Sequence, residues 1–187
     1  MTRTSVLRAA AVSAVAALAL GGCSSGTDEP RTLARVDDWR QGARPGGDSP
    51  SLEVAYDATS AQRLWDENVP SALPERDGDP TEEGRYGDLA DVDVDDQVVA
   101  LWSGDQSGGC AQWLSGVSRE EAGGVVLSED GEAGPGDACS DVRVLYRTVV
   151  VLDRSAVPDE ATVATTDATD DDPSFPRPVH LTAYPTR

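Results

Sequence analysis

Residues 52–69, LEVAYDATSAQRLWDENV, hold the clearest structural signal in the chain. Leu52-Glu53-Val54-Ala55-Tyr56 alternates apolar with polar or small side chains, as a half-buried strand requires. Asp57 and Ala58 lead to Thr59, with Gln62 three residues on, the spacing of a capping box. Ala61, Leu64, Trp65 and Val69 then recur at the interval of one helical face. Pro70 and Pro74 stop the helix, because proline offers no amide hydrogen to continue it.

Working downstream, residues 71–90 are rich in Pro, Gly and acid and read as a long loop. Gln97–Ser103, QVVALWS, is a continuous apolar run of strand character, and Gly104–Gly109 follows it as a turn. Ala111–Val117 and Val125–Leu127 are shorter strand candidates, separated by Gly123-Gly124, and 129–137 is turn-rich. Val142–Leu152, VRVLYRTVVVL, is the longest strand candidate, with Val142, Val144, Tyr146, Thr148, Val150 and Leu152 on one face. One helix among several strands predicts an α+β domain over residues 51–157. Residues 158–187 are expected to be an acidic, low-complexity tail, mobile over Ala161–Asp172, in which Val179–Tyr184 either adds an edge strand or trails off. There is no internal repeat.

Working upstream, residues 23–50 are rich in Gly, Pro, Ser and charge and are expected to be a flexible linker. Thr32–Trp39 carries a weak signal for a turn of helix. Before it, Arg3 and Arg8 precede an apolar stretch, Ala9–Leu20, that ends in Leu20-Gly21-Gly22-Cys23. This is the form of a bacterial lipoprotein signal peptide, residues 1–22, cleaved before the cysteine that takes a diacylglyceryl group. Twelve helical residues rise about 18 Å, short of the roughly 30 Å hydrocarbon core, so the stretch is too short to span. Two acyl chains anchor where one is marginal. The expected location is the outer face of the cytoplasmic membrane, with Cys23 as the lipidation site.

Three cysteines is an odd count for an exported chain. Assigning Cys23 to lipid leaves Cys110 and Cys139 to pair in an oxidising compartment. A metal site is the poorer alternative, since two thiols and the distant His180 make a thin ligand set.

Cleavage leaves residues 23–187, enough for one domain, with 13 basic against 34 acidic residues, a net of −21. That charge excludes nucleic acid and anionic lipid headgroups as partners, and it permits cations and basic protein surfaces. Lys and Ile are absent and Phe occurs once, so the core must come from Val, Leu, Ala and the four Trp. Trp65 and Trp102 are expected in the core and Trp113 beside the disulfide, while Trp39 has no evident partner.

Asp91, Asp93, Asp95 and the adjacent Asp96 form the densest carboxylate cluster, and alternation along an extended segment would place the first three on one face for a hard cation. The EF-hand pattern fails, because Asp96 stands where Gly is needed and Trp102 where Glu is needed. His180 is the only histidine and no Gly-x-Ser-x-Gly elbow exists, which argues against a hydrolytic triad. No cofactor-binding motif is present, and a non-catalytic role is expected.

The order of these features resembles the C-terminal domain of PrcB-like protease-complex subunits. The resemblance rests on Arg63-Leu64-Trp65, Val92-Asp93, Val98–Trp102, Gly104–Cys110, Pro135-Gly136 and Leu145–Val149, and it covers roughly residues 52–157. The chain departs from that pattern with Ser107 in place of Thr, Cys110 in place of an aromatic, and a second cysteine at Cys139. The resemblance implies a small, mainly antiparallel sheet with one principal helix on one face, here stapled by the disulfide, and a role in protein assembly. The expected function is therefore a membrane-anchored module that binds an envelope protein or peptide, through a sheet edge. The competing expectation is a lipoprotein that binds a cation or small ligand at the acidic cluster.

Overall fold

The computed structural model describes residues 29–37, 51–119, 124–131, 139–159, 162–166 and 178–185. Within them, nine strands and one α-helix follow in the order β1 (Arg31–Asp37), β2 (Ser51–Ala55), α1 (Ala58–Asn68), β3 (Gly84–Arg85), β4 (Gln97–Gly108), β5 (Gln112–Arg119), β6 (Val125–Gly131), β7 (Ser140–Asp153), β8 (Thr162–Thr166) and β9 (Pro178–Ala183). Short 3-10 turns occupy Leu89–Asp91 and Arg154–Ala156. All nine strands form one sheet in the order β3-β1-β7-β4-β2-β9-β8-β6-β5. Only β2·β9 and β6·β8 pair in parallel, so the sheet is mainly antiparallel.

The sheet is strongly curled. A flat sheet would hold β7 and β5, six places apart, about 29 Å from one another at ~4.8 Å per strand. Instead β5 packs on β7 and on the Arg154–Ala156 turn. The concave side encloses Leu52, Val54, Val98, Ala100, Trp102, Leu114, Leu127, Tyr146, Val150, Leu152 and Leu181. The convex side buries Leu33, Ala34, Ala55, Val99, Leu101, Val149 and Val151 under Ala61 and Leu64 of α1. Covering on both faces explains why QVVALWS reads as an unbroken apolar run: Val98, Ala100 and Trp102 face one cluster, and Val99 and Leu101 face the other. On β7, Tyr146, Val150 and Leu152 share the concave face as their alternation predicted, and the opposite face is covered too, since Val149 and Val151 are as buried as Val150 and Leu152.

Several boundaries differ from the expectations. Residues 31–37 are a strand and not linker or helix, paired to β7 and to β3. Residues 162–166 and 178–183 are sheet and not tail, and β9 lies in the sheet's interior between β2 and β8, not at an edge. The folded unit thus reaches beyond 51–157 on both sides. The Gly104–Gly109 turn is mostly β4, with a left-handed residue only at Gly109 (φ +81°). The 129–137 connection begins later than expected, because β6 runs on to Gly131. Helix α1 is capped two residues earlier than the spacing suggested: Asp57 accepts from the amides of Thr59 and Ser60, both at 2.9 Å, and Ser60 completes the box.

Candidate functional site

Two polar centres and one apolar-floored groove stand out among the described residues, and of these three the groove is open to a partner. Ala58, Ala61, Gln62 and Trp65 of α1 face Asp88, Leu89, Ala90, Val92 and Val94 across a groove of about 380 Å³. Trp65, Leu89 and Val92 pack on the convex core but stay partly exposed, so the floor of the groove is apolar and reachable. The sequence makes this wall because Asp88 caps the 3-10 turn, its carboxylate accepting from the Ala90 amide at 3.4 Å. Leu89, Val92 and Val94 are then carried along α1.

Asp88 lines the groove; Asp57, Asp66, Asp91 and Asp93 adjoin its lining residues along the chain, Asp66 itself lining a separate hollow with Arg63 and Glu67. All five are exposed. Among the described residues none of them is joined to Arg in an ion pair; the pairs present are Arg35–Asp37, Arg63–Glu67, Arg76–Glu82 and Arg85–Glu75. Hydrogen bonds from the Ser60 and Thr59 amides hold the Asp57 carboxyl below its usual range, which keeps that charge in place.

The acidic cluster singled out in the sequence is not gathered into one site. Residues 93–97 make a tight turn in which Asp93 O accepts from the Gln97 amide at 2.8 Å and Asp93 Oδ1 from the Asp95 amide at 3.1 Å. The extended alternation that would have aligned the carboxylates is therefore lost. Asp91 and Asp93 alternate in the chain with the groove residues Ala90, Val92 and Val94. Asp95 and Asp96 line a separate hollow with Arg119, Asp153, Arg154 and Asp159. The Arg154 guanidinium there donates to the carbonyls of Val94 (2.6 Å) and Tyr56 (2.8 Å), tying β2, the turn and β7 together. Among the described residues no group of three or more His, Cys, Asp or Glu converges as a metal ion would need.

The first polar centre surrounds Arg35, which is fully buried. Its guanidinium donates to Pro80 O and Gln112 O, both at 2.8 Å, to Gln106 Oε1 at 2.6 Å and to Asp37 Oδ1 at 2.9 Å. It also lies 4.6 Å from the centre of the Tyr146 ring. Tyr146 accepts from Trp102 Nε1 at 2.9 Å and donates to Glu129 Oε1 at 2.7 Å. Burial, reinforced by the Glu129 charge, pushes the Tyr146 hydroxyl well above its ordinary range, so it is a fixed donor and not a nucleophile. This centre laces β1 to β4 and β5 across the open seam of the curled sheet.

The second lies under α1, where Arg147 donates to Asn68 Oδ1 at 3.0 Å and Asn68 donates to Tyr184 Oη at 3.2 Å. Tyr184 donates to Glu67 at 2.6 Å; burial first and this bond second push its hydroxyl up to about 12. Both centres are architectural: their donors and acceptors face one another.

Cys110 and Cys139 are bonded, with Cα atoms 5.6 Å apart. Cys23, the proposed lipid site, and Trp39 lie outside the described residues. Trp102 is wholly buried, and Trp65 and Trp113 are partly so. His180 sits in β9, its backbone registered with Ser51 and Val163. The sheet edges are β3 and β5. Edge strand β3 has two residues, and at β5 the Gln112 amide and carbonyl are taken by Gln106 and Arg35. Among the described residues no helix is long and apolar enough to cross a membrane. No family model, curated protein or solved structure matches the chain.

Proposed function

We propose that this chain is a lipoprotein anchored through Cys23 to the outer face of the cytoplasmic membrane, and that its folded part is a non-catalytic module binding a protein or peptide. The groove between α1 and residues 88–94 is the binding surface. The observation that carries this reading is the pairing of a partly exposed apolar floor (Trp65, Leu89, Val92) with the exposed Asp88, which is in no ion pair with Arg among the described residues. Apolar area left open to water favours a cover, and Asp88 selects its charge: an apolar side chain flanked by Arg or Lys. The sequence resemblance to PrcB-like subunits is in keeping with a role in holding proteins together.

The test is a titration of the purified mature domain with two probe peptides, Arg-Leu-Trp-Leu-Arg and Glu-Leu-Trp-Leu-Glu, followed by calorimetry or amide shifts. The basic probe should bind with an affinity that falls as salt rises, through contacts mapping to Gln62, Trp65 and Ala90. Equal binding of both probes, or contacts elsewhere, would refute the groove as the site.

A further inference from the structure

On the convex side of the sheet, one row of directly paired residues is polar across three strands. Arg147 of β7 is registered with Ser103 of β4, and Ser103 with Ser51 of β2. Paired residues share a face, and Arg147 marks which one, since it donates to Asn68 Oδ1 under the end of α1. All three are more than nine-tenths buried: Ser51 is 6% exposed, Ser103 2% and Arg147 6%. Yet neither serine Oγ has a hydrogen-bond partner among the described residues. A hydroxyl buried in that state weakens the folding equilibrium by roughly 5- to 150-fold. Two of them stand side by side here.

We propose that Ser51 and Ser103 hold a water molecule between them, inside the fold. The spacing suits one. Directly opposed Cβ atoms lie about 4.5–5.5 Å apart, and two O–H···O bonds of about 2.8 Å, joined through a water, span about 5.6 Å. Side-chain size leaves the room: the same face of β4 carries Val99 and Leu101 before Ser103, and serine reaches only one heavy atom beyond its Cβ. Charge selects a neutral ligand. Arg147 disfavours a cation, while Glu53, two residues from Ser51 on the same face, and the negative end of α1 disfavour an anion. Two hydroxyls are enough to hold a buried water, which takes two to four polar partners. The bridge ties β2 to β4 at the level where Arg147 ties β7 to α1. It stands apart from the anchor and groove readings above.

The experiment is oxygen-17 magnetic relaxation dispersion of the purified protein, which counts waters held longer than the molecule tumbles and is blind to exchanging hydroxyl protons. The wild type is compared with Ser51→Ala, Ser103→Ala and the double variant. The double variant should lose the dispersion of about one water, because a small cavity without polar partners stays dry. Ser103→Ala alone should unfold at lower urea, since its hydroxyl is bonded. A dispersion that the double variant leaves unchanged overturns the proposal, whether the two hydroxyls bond each other or nothing. A Ser103→Ala chain about fivefold or more better folded also overturns it, that being the mark of an orphaned group. If the double variant does not fold, a crystal structure of the wild type decides: density within about 3.2 Å of both Oγ atoms supports the bridge, and its absence overturns it.

Discussion

Replacing Arg35 with methionine tests whether β1 is part of the domain. The aliphatic stem survives, but four hydrogen bonds of 2.6–2.9 Å and the contact with the Tyr146 ring are lost. Counting about 1.5–3 kcal/mol for each charged bond would give roughly 6–12 kcal/mol. That sum overshoots, because all four bonds share one desolvation of one guanidinium. Breaking a buried, hydrogen-bonded charged centre from one side costs about 3–5 kcal/mol, and the carbonyls of Pro80 and Gln112 are what is left behind. We therefore expect a loss of about 4 kcal/mol, or roughly 8–16 °C in Tm for a domain of this size. Urea unfolding, followed by tryptophan fluorescence with the disulfide intact, measures it. Arg35→Lys should recover little, since an ammonium cannot fork toward acceptors on three elements. A chain shortened to begin at Ser51 should lose more than the point variant. If Arg35→Met unfolds within about 1 kcal/mol of the wild type, β1 is peripheral and the seam is held by something else.

Four further outcomes are expected. Cys110→Ala with Cys139→Ala opens a loop of sequence separation 29 and should lower stability by about 3–4 kcal/mol in urea; an unchanged midpoint would show that the bond adds nothing. Tyr146→Phe takes the acceptor from buried Trp102 Nε1 and should cost about 1–3 kcal/mol by the same assay. The wild type should lose stability as pH rises above about 10, because the neutral hydroxyls of Tyr146 and Tyr184 are favoured in the fold and ionise there later than in the unfolded chain, Tyr184 at about 12. Tyr184→Phe should flatten part of that alkaline loss, and a level profile to pH 12 would refute it. Asp57→Ala should remove about 1 kcal/mol at neutral pH; the contribution is present above the ordinary Asp range and fades as pH falls through the lowered value, so wild type and variant should converge in strong acid.

The α+β class, α1, and the strands at 52–56, 97–103 and 142–152 were legible because apolar periodicity survives in them. The Cys110–Cys139 bond was legible from parity and compartment. β1 was not, for two local reasons. A bulge at Leu33 turns both Leu33 and Ala34 toward α1 and breaks the alternation, and Arg35 then occupies an inward position with a charge. β8 was hidden by composition, since Thr162–Thr166 shares its Thr and Ala with the tract that follows, and it gains its place from pairing with β9 and with the parallel strand β6. The groove was half legible. The acids beside it were visible as a cluster, but their place beside it depends on Asp88–Val94 lying along α1, a contact that no spacing within either segment encodes. Arg35 and Tyr146 were invisible as a pair because their partners come from β4, β5, β6 and the residue 80 loop.

The place of β9 fixes when this molecule can finish assembling. Residues 178–183 are the joint between two part-sheets, β3-β1-β7-β4-β2 on one side and β8-β6-β5 on the other. A chain emerging amino end first must therefore wait, its concave apolar lining uncovered, until nearly its last strand has been delivered. Cleavage between β8 and β9 in that interval would take away the strand that closes the sheet, leaving the two parts held by the Arg35 contacts, the packing of β5 on β7 and the disulfide.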